Sequence, residues 1–288
     1  MASAAPEPPV PAAPPEAVCI ICLDRGDEPL HRNCACRGPT AGFAHMSCLV
    51  RYVSSAAETN DRLWTSCGTC KQKYFGATLL GLARARWERA RGRPEEDHER
   101  LGAMNCLALA LQDSRDYPAA LPLKEQGLAI ERRIHGDLHS NTLTSIFNLA
   151  RLHNVMGNPR LALPLAEECL RGRRQTSGEE HEETLGAMST LGDVHREMGN
   201  YDEALSLARR VLDVRRRTLG NEHDDTVASA GRVGVILDWM GDTAAALPLL
   251  EEELSNSAVA ALEVPRCHPA FCRALRKLRP HSTMIKKL

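Results

Sequence analysis

The segment Gly-Asn-Tyr-Asp-Glu-Ala-Leu at residues 199–205 decides how most of this chain folds. A glycine followed by asparagine suits the left-handed turn that ends a helix. Apolar residues on both sides of this turn return at helical spacing, which predicts one helix over 184–198 and a second over 202–218. Small side chains at Ala204 and Ala208 would let these two helices approach closely. The segment therefore predicts a helical hairpin.

The same pattern recurs every 42 residues along the chain. Several columns of identical residues share this spacing, among them His139, His181 and His223; Gly157, Gly199 and Gly241; and Ala120, Ala162, Ala204 and Ala246. One hairpin cannot bury its apolar face alone, whereas stacked hairpins can. We therefore predict a mostly α chain in which about four hairpins of this length stack into an all-α solenoid. The predicted units span residues 97–138, 139–180, 181–222 and a shortened 223–254.

These repeats resemble those of a known family. Residues 199–205, followed by Arg215-Arg216-Arg217 and Leu219-Gly220-Asn221-Glu222-His223, are similar to the 42-residue tetratricopeptide repeats (TPR) of kinesin light chains. The resemblance covers residues 97–254 and implies a right-handed solenoid whose concave face binds peptides or proteins. Asn158-Pro159-Arg160 and Thr243 depart from the family, because an aromatic residue usually follows the turn there.

A second feature is the clustering of cysteines before the repeats. Seven of the eleven cysteines fall between Cys19 and Cys70. We see neither a stretch of eighteen apolar residues nor a secretory signal, so we expect a reducing compartment. In such a compartment we expect cysteines to be metal ligands or core residues rather than disulfides. We predict a cytoplasmic location, leave a nuclear one open, and expect neither a membrane nor a nucleic acid as partner.

Eight residues of this region have the spacing of zinc ligands, in the pairs Cys19-x2-Cys22, Cys34-x-Cys36, His45-x2-Cys48 and Cys67-x2-Cys70. A closed structural zinc site takes four thiolate or imidazole ligands, so eight ligands predict two structural Zn²⁺ ions. Binding would contribute on the order of 10–16 kcal/mol per site to the folding of a segment with few large apolar residues. The first pair could share an ion with the third, and the second with the fourth, but the spacing alone does not prove this pairing.

Two families of zinc finger have this order of ligand types. The segments Cys34-Ala35-Cys36-Arg37-Gly38 and Phe43-Ala44-His45-Met46-Ser47-Cys48-Leu49 resemble the RING-CH variant of the RING finger, and the resemblance covers residues 19–76. The eight residues between Cys36 and His45 are one more than this variant usually has. The alternative is a plant-homeodomain finger, whose second pair usually has two or more intervening residues. The RING-CH resemblance implies a cross-brace, with one zinc on Cys19, Cys22, His45 and Cys48 and the other on Cys34, Cys36, Cys67 and Cys70.

The RING-CH resemblance also implies a function. Such fingers recruit a ubiquitin-conjugating enzyme charged with ubiquitin and orient its thioester, so the finger itself supplies no catalytic nucleophile. The family's contact positions for the conjugating enzyme correspond to Ile21, Tyr52 and Lys71. Tyr52 stands where the family usually has tryptophan, and Gly68 stands where many ligase fingers have proline.

Three other segments connect or flank these two modules. Residues 1–18 contain six prolines and are predicted to be a disordered tail. Residues 77–96 are predicted to connect the modules, with a helix over 77–91 that packs Trp87 and its leucines against the first repeat. Residues 255–288 are predicted to be a basic tail, whose ligand-type residues match no zinc spacing.

Two functions follow from these expectations. The first is a soluble ubiquitin ligase whose finger recruits a charged ubiquitin-conjugating enzyme and whose solenoid binds a protein substrate or adaptor. Residues 94–254 contain 17 basic and 28 acidic side chains, a formal charge of −11, which favours a basic partner. The alternative is a non-catalytic zinc-binding scaffold, with a plant-homeodomain-like or degenerate RING finger, in which finger and repeats both serve as protein-binding modules.

Overall fold

The structure is a computed structural model that describes residues 17–32, 42–56 and 61–256, together with Ala13. It divides into two compact units, Met1–Ile130 and Glu131–Leu288. The predictions for most of residues 1–18, for the tail beyond residue 256, and for Cys34 and Cys36 concern residues outside the described part. Among the described helices, none is long and apolar enough to cross a membrane.

The first unit begins with a small α/β arrangement. Strands β1 (Leu30–Arg32) and β2 (Phe43–His45) pair antiparallel, with Leu30 opposite His45. Helix α1 (Met46–Ala56) follows β2 directly, and a single 3-10 turn, Asp61–Trp64, comes next. The unit continues with α2 (Gly76–Ala90), α3 (His98–Asp113) and the first part of α4 (Tyr117–His135).

A compact apolar core lies beneath the cysteine-rich segment. Trp64 is 1% exposed, and Val53 and Leu82 are fully buried beside it. Leu82 belongs to α2, and Leu79 and Ala85 of the same helix also pack against this core. Helix α2, which begins and ends within one residue of the predicted range 77–91, therefore shares the core of the finger.

The opposite end of α2 is joined to α3 by an ion pair. Arg86 is 6% exposed, and its Nε and Nη2 atoms donate to the two carboxylate oxygens of Glu99 at 3.2 and 3.1 Å. A Cβ on Gly102 of α3 would lie 3.3 Å from Arg86 Nη2, so the missing side chain leaves room for the guanidinium. Leu79 and Leu82 thus pack in the finger core and not against the first repeat as predicted, whereas Arg86 meets the first repeat. The predicted contact of Trp87 stays a prediction.

The second unit consists of paired helices, in agreement with the predicted solenoid. Its helices after α4 are α5 (Ser140–Val155), α6 (Pro159–Ser177), α7 (Glu182–Glu197), α8 (Tyr201–Leu219), α9 (Asp224–Met240) and α10 (Thr243–Asn256). Each helix packs against the next, and the first helices α5 and α7 also contact each other. The hairpin predicted from residues 199–205 is α7 and α8, each within two residues of its predicted bounds.

The 42-residue columns have structural roles that the fold makes visible. Each alanine of the column at 120, 162, 204 and 246 is fully buried, as the close approach of paired helices requires. The turn glycines 157, 199 and 241 have φ values of 76°, 82° and 88°, in the left-handed region. The corresponding residue of the first repeat is Arg115, with a φ of 60°.

The histidine column caps the first helices. Nδ1 of His139, of His181 and of His223 accepts a hydrogen bond from the backbone N–H two residues later, at 3.2 Å in each case. Asp97 holds the same position before α3 and accepts from the backbone N–H of Arg100 at 3.1 Å. Each cap satisfies a donor that the first turn of a helix leaves without an intrahelical partner.

Candidate metal centre

Four of the predicted zinc ligands meet at one point of the first unit. One ligand atom from each of Cys19, Cys22, His45 and Cys48 lies within 4.8 Å of the other three. His45 Nδ1 is 3.4 Å from Cys22 Sγ and 3.8 Å from Cys48 Sγ. Ligand atoms about 2.3 Å from a tetrahedral zinc are separated by roughly 3.8 Å, so this spacing fits one zinc ion.

Three different elements bring these four side chains together. Cys19 and Cys22 lie on a tight turn, His45 is the last residue of β2, and Cys48 lies in the first turn of α1. The Glu28 side chain accepts from the backbone N–H of Ser47 at 2.9 Å, which satisfies a free donor at the start of α1. This bond joins the segment before β1 to the helix that carries Cys48.

A hydrogen bond on the side of the ring away from the sulfur atoms orients the imidazole of His45. Nε2 donates to the carbonyl oxygen of Arg25 at 2.7 Å, and in the neutral imidazole this bond leaves Nδ1 without a proton and turned toward the sulfur atoms. The same bond to Arg25 raises the pKa of His45. Gly26 has a φ of 53°, and a Cβ there would lie 3.3 Å from the ring. Neither Arg25 nor Gly26 was predicted, because a carbonyl acceptor leaves no signature in side-chain identity.

The thiols of the cluster differ in acidity. Burial raises the pKa of the Cys19 thiol, but the backbone amides of Cys22, His45 and Ile21 bring it down to about 7. Burial, together with the neighbouring sulfurs of Cys22 and Cys19, raises the pKa of Cys48 to about 11. Like charges so close cannot all form without a compensating cation. A divalent ion that accepts three thiolates and a neutral imidazole fits this donor set.

The turn that carries Cys67 and Cys70 has the same backbone hydrogen bonds as the turn that carries Cys19 and Cys22. Cys19 N donates to Asp24 O at 2.9 Å and Leu23 N donates to Cys19 O at 2.9 Å. In the second turn, Cys67 N donates to Gln72 O at 2.9 Å and Lys71 N donates to Cys67 O at 3.0 Å. We call the two turns the first knuckle (residues 19–24) and the second knuckle (residues 67–72). The residue after the second cysteine is left-handed in both, with φ values of 63° and 62°.

Cys67 and Cys70 therefore lie on a turn with the same backbone geometry as the turn of Cys19 and Cys22. The remaining two predicted ligands of the second site, Cys34 and Cys36, lie outside the described residues. The second cluster of four thus stays a prediction, supported by the equivalence of the two knuckles.

The three predicted contacts for a conjugating enzyme are all exposed. Ile21 is 39% and Tyr52 45% exposed, and Lys71 lies at the surface. Tyr52 and Lys71 meet at Gly68: Lys71 Nζ donates to the Gly68 carbonyl oxygen at 2.5 Å, and a Cβ on Gly68 would lie 3.3 Å from the Tyr52 hydroxyl oxygen. The two departures from the RING-CH pattern, Tyr52 and Gly68, are therefore neighbours in space.

Family models match both parts of the chain. A model described as a RING-variant domain matches residues 19–70, which agrees with the RING-CH resemblance rather than the plant-homeodomain alternative. A model described as a tetratricopeptide repeat matches residues 99–175 and 183–257. A comparison with curated protein sequences gives no match.

Solved structures resemble the repeat part. The nearly identical TPR-like repeats of a kinesin light chain from Podosopora anserina are 23% identical, with a TM-score of 0.54, over 75% of this chain and 94% of that one. BtubC (BKLC) from P. vanneervenii is 16% identical, with a TM-score of 0.54, over 77% of this chain and 92% of that one. At these identities the likeness concerns the fold. Because the repeat model covers more than half of the sequence, the chain belongs to the tetratricopeptide repeat family, and it carries a RING-variant domain ahead of its repeats.

Proposed function

We propose that this chain is a ubiquitin ligase whose finger recruits a ubiquitin-conjugating enzyme charged with ubiquitin and whose repeats bind a protein substrate or adaptor. The observation that carries the proposal is the exposure of all three contact positions beside a cluster of zinc ligands. Ile21 belongs to the same knuckle as Cys19 and Cys22, and Lys71 follows Cys70 in the second knuckle. An apolar side chain, an aromatic ring and a cation are thus available to a partner.

The proposed mechanism is orientation. Zinc, when bound, would hold the first knuckle rigid through Cys19, Cys22, His45 and Cys48. Ile21 and the ring of Tyr52 would contact the conjugating enzyme, because exposed apolar and aromatic side chains gain most from burial at an interface. Lys71 would place its ammonium near the polar groups of ubiquitin or its carrier, which restricts the thioester to fewer conformations.

We further propose that the finger binds two zinc ions, the second on Cys34, Cys36, Cys67 and Cys70. Native mass spectrometry of the full chain tests this directly. We expect two zinc ions per chain, and one after Cys67→Ser. Two ions retained in the Cys67→Ser variant would remove Cys67 from the ligands, and one ion in the unchanged protein would contradict the second site.

We infer that the partner of the repeats binds the first-helix face, the exposed side of α5, α7 and α9. On α5 the side chains at 144, 148, 151 and 155 share one helical face. Arg151 lies over the Phe147 ring at 5.6 Å, and Val155 is 61% exposed.

The first-helix face is less acidic than the overall charge of the repeats suggests. Asp193 of α7 accepts from Arg232, and Glu197 pairs with Arg196 at 2.9 Å. A basic partner therefore has less support here than the charge count gives it.

An assay of ubiquitin discharge tests the ligase proposal. A panel of charged conjugating enzymes is mixed with the full chain, and loss of the thioester is followed with free lysine as acceptor. We expect at least one carrier to be discharged faster in the presence of the chain, and Ile21→Ala to remove that acceleration. Leu161→Ala is the matched control, because Leu161 is 57% exposed on α6, in the other unit.

The alternative is a binding scaffold without transferase activity, and the pairing of Tyr52 with Gly68 is the observation that favours it. Tryptophan and proline, which the family usually has at these positions, would present a larger apolar surface. No discharge with any carrier, together with an intact zinc content, would favour the scaffold over the ligase.

A further inference from the structure

Lysine is nearly absent from the repeats. Residues 97–254 contain sixteen arginines and a single lysine, Lys124. The rest of the chain contains fourteen arginines and five lysines, so the shortage of lysine is greater in the repeats than elsewhere. The next lysine after Lys124 is Lys277, beyond the last repeat. The repeats thus carry their positive charge almost entirely as guanidinium groups.

The one lysine of the repeats is not available to react. Lys124 lies on α4 and is 6% exposed. Its Nζ donates to Oδ1 of Asn105 on α3 at 2.8 Å. An amine that is buried and held in this way cannot reach a group bound to another protein. The described helices from α3 to α10 therefore present no lysine amine at their surface.

Hydrogen bonding explains some of the arginines but not all of them. The guanidinium of Arg173 donates to Glu183 at 2.8 Å and to Thr144 at 2.7 Å, a fork of contacts that a lysine amine does not reproduce. Arg171 and Arg209, in contrast, are exposed on α6 and α8, and we find no ion pair of either among the described residues. Lysine would keep the charge at these two positions, so folding does not explain its absence there.

The chemistry of ubiquitin transfer distinguishes the two kinds of side chain. The unprotonated amine of a lysine attacks the C-terminal carbonyl carbon of ubiquitin in the thioester. An amide bond forms, the C–S bond breaks, and the carrier's cysteine leaves as a thiol with the proton that the amine gives up. The guanidinium of an arginine stays protonated in proteins and is delocalised, so it is not an acceptor in this reaction.

We propose that the repeats are kept free of acceptor amines, so that ubiquitin discharged at the finger passes to the protein bound on the first-helix face and not to the repeats. This inference rests on the proposed ligase function. It assigns to the repeats a substrate that offers its own lysine to the carrier. Self-modification is then confined to the lysines that remain, which are Lys71 and Lys73 of the finger and Lys277, Lys286 and Lys287 of the tail.

Lysine placed on the surface of the repeats tests the proposal. Arg171→Lys and Arg209→Lys keep the positive charge and each add one exposed amine to the full chain. Each protein is incubated with ubiquitin, the activating enzyme and a carrier that the chain discharges, and mass spectrometry of tryptic peptides identifies the modified lysines. We expect no ubiquitin on Lys124 of the unchanged chain, and ubiquitin on the new lysine in at least one of the two variants.

Arg209→Gln is the matched control, because it removes the same guanidinium without adding an amine. It should leave the pattern of modified lysines unchanged. Discharge to free lysine should proceed at the same rate in the unchanged chain and in all three variants, because neither residue belongs to the finger.

The outcomes separate this proposal from the ligase function. Normal discharge to free lysine, with neither new lysine modified, would mean that the carrier does not reach these surfaces and that the absence of lysine protects nothing. The proposal would then be overturned while the ligase function stands, and ubiquitin on Lys124 of the unchanged chain would overturn it as well. If the unchanged chain discharges no carrier, the ligase function itself fails, and the proposal fails with it.

Discussion

Arg115 occupies a position that the later repeats give to glycine. Its φ of 60° matches the left-handed turns at Gly157, Gly199 and Gly241. A left-handed backbone costs a residue with a side chain roughly 1–2 kcal/mol. Glycine avoids this cost, but it loses more conformational entropy on folding, which offsets part of the gain in stability. We predict that Arg115→Gly raises the free energy of unfolding by roughly 0.5–1 kcal/mol, measured by urea denaturation. Gly157→Ala, the reverse change one repeat later, should lower it, and equal effects of one sign would contradict this explanation.

Gly68 and Tyr52 are neighbours whose close contact limits the size of the side chain at position 68. A Cβ at position 68 would lie 3.1 Å from Leu63 Cδ2 and 3.3 Å from the Tyr52 hydroxyl oxygen. We predict that Gly68→Ala destabilises the finger by about 1 kcal/mol, as overpacking does, and that Tyr52→Phe recovers part of this loss. Thermal unfolding of the two single variants and the double variant measures the coupling.

Gly92→Ala is the control for that cycle, because nothing lies within 4 Å of a Cβ at position 92. It should leave stability nearly unchanged. Strict additivity of Gly68→Ala and Tyr52→Phe would show that the two residues do not share space.

At this scale the sequence identifies the ligands but not what orients them. Cys19, Cys22, His45 and Cys48 stand out by spacing, since two intervening residues let one turn present two ligands. Arg25, which fixes the His45 ring, acts through its carbonyl oxygen. Because every residue has a carbonyl group, only the folded backbone shows which one is used.

The histidine caps are a property of the helices. Each imidazole supplies an acceptor for a backbone donor in the first turn of α5, α7 or α9. We predict that His139→Ala lowers the free energy of unfolding of the repeats by about 0.5–2 kcal/mol, as loss of a helix cap does, measured by urea denaturation.

His139→Asn and His139→Asp are the matched controls, because both keep a side-chain acceptor at the cap position. The first turn of α5 has no acidic residue, so the new carboxylate of His139→Asp meets little charge repulsion. Both variants should be more stable than His139→Ala, and equal losses in all three would contradict a capping role of the imidazole. Asp97 is the aspartate cap of α3. The hydrogen bond from the backbone N–H of Arg100 lowers the pKa of its carboxyl group, as expected for a cap that accepts as a carboxylate.

Helix α2 supplies an element-scale prediction about the finger. Leu82 is fully buried in the finger core although it lies outside the predicted finger, residues 19–76. We predict that Leu82→Ala destabilises the finger by about 2–5 kcal/mol, seen as faster zinc transfer to a chelator. Leu80→Ala on the same helix is the control, because Leu80 is only half-buried and lies outside this core cluster. Equal rates for the two variants would contradict a shared core.

The bounds of the repeat helices could be predicted from the sequence more readily than the core against which α2 packs. A 42-residue period repeats each helix signal several times, so the bounds of α7 and α8 follow from columns rather than from single residues. The run over 77–91 occurs once, and its periodicity predicts a helix without showing what the helix packs against. Cysteine spacing marks the metal ligands of the finger, whereas its apolar core includes side chains well beyond the last ligand.

At the scale of the whole molecule, the two units should respond differently to loss of metal. The finger depends on ligands that repel one another without a cation, while α5 to α10 depend on packing between neighbouring helices. We predict that a strong chelator shifts tryptophan emission to the red, through exposure of Trp64, and leaves most of the helical circular dichroism intact. A cooperative loss of the helical signal on chelation would show that the repeats require the metal.

Helix α2 has a consequence for the exchange of modules between proteins. Its Leu79 and Leu82 complete the core of the finger, and its Arg86 forms an ion pair with Glu99 of the first repeat. A recombination joint placed after the last zinc ligand would leave the finger with an open core. A joint placed after α2 would remove the ion pair between Arg86 and Glu99. A RING-variant finger of this kind would therefore be inherited together with its helix and a glutamate acceptor, so that its natural unit of exchange ends within α3.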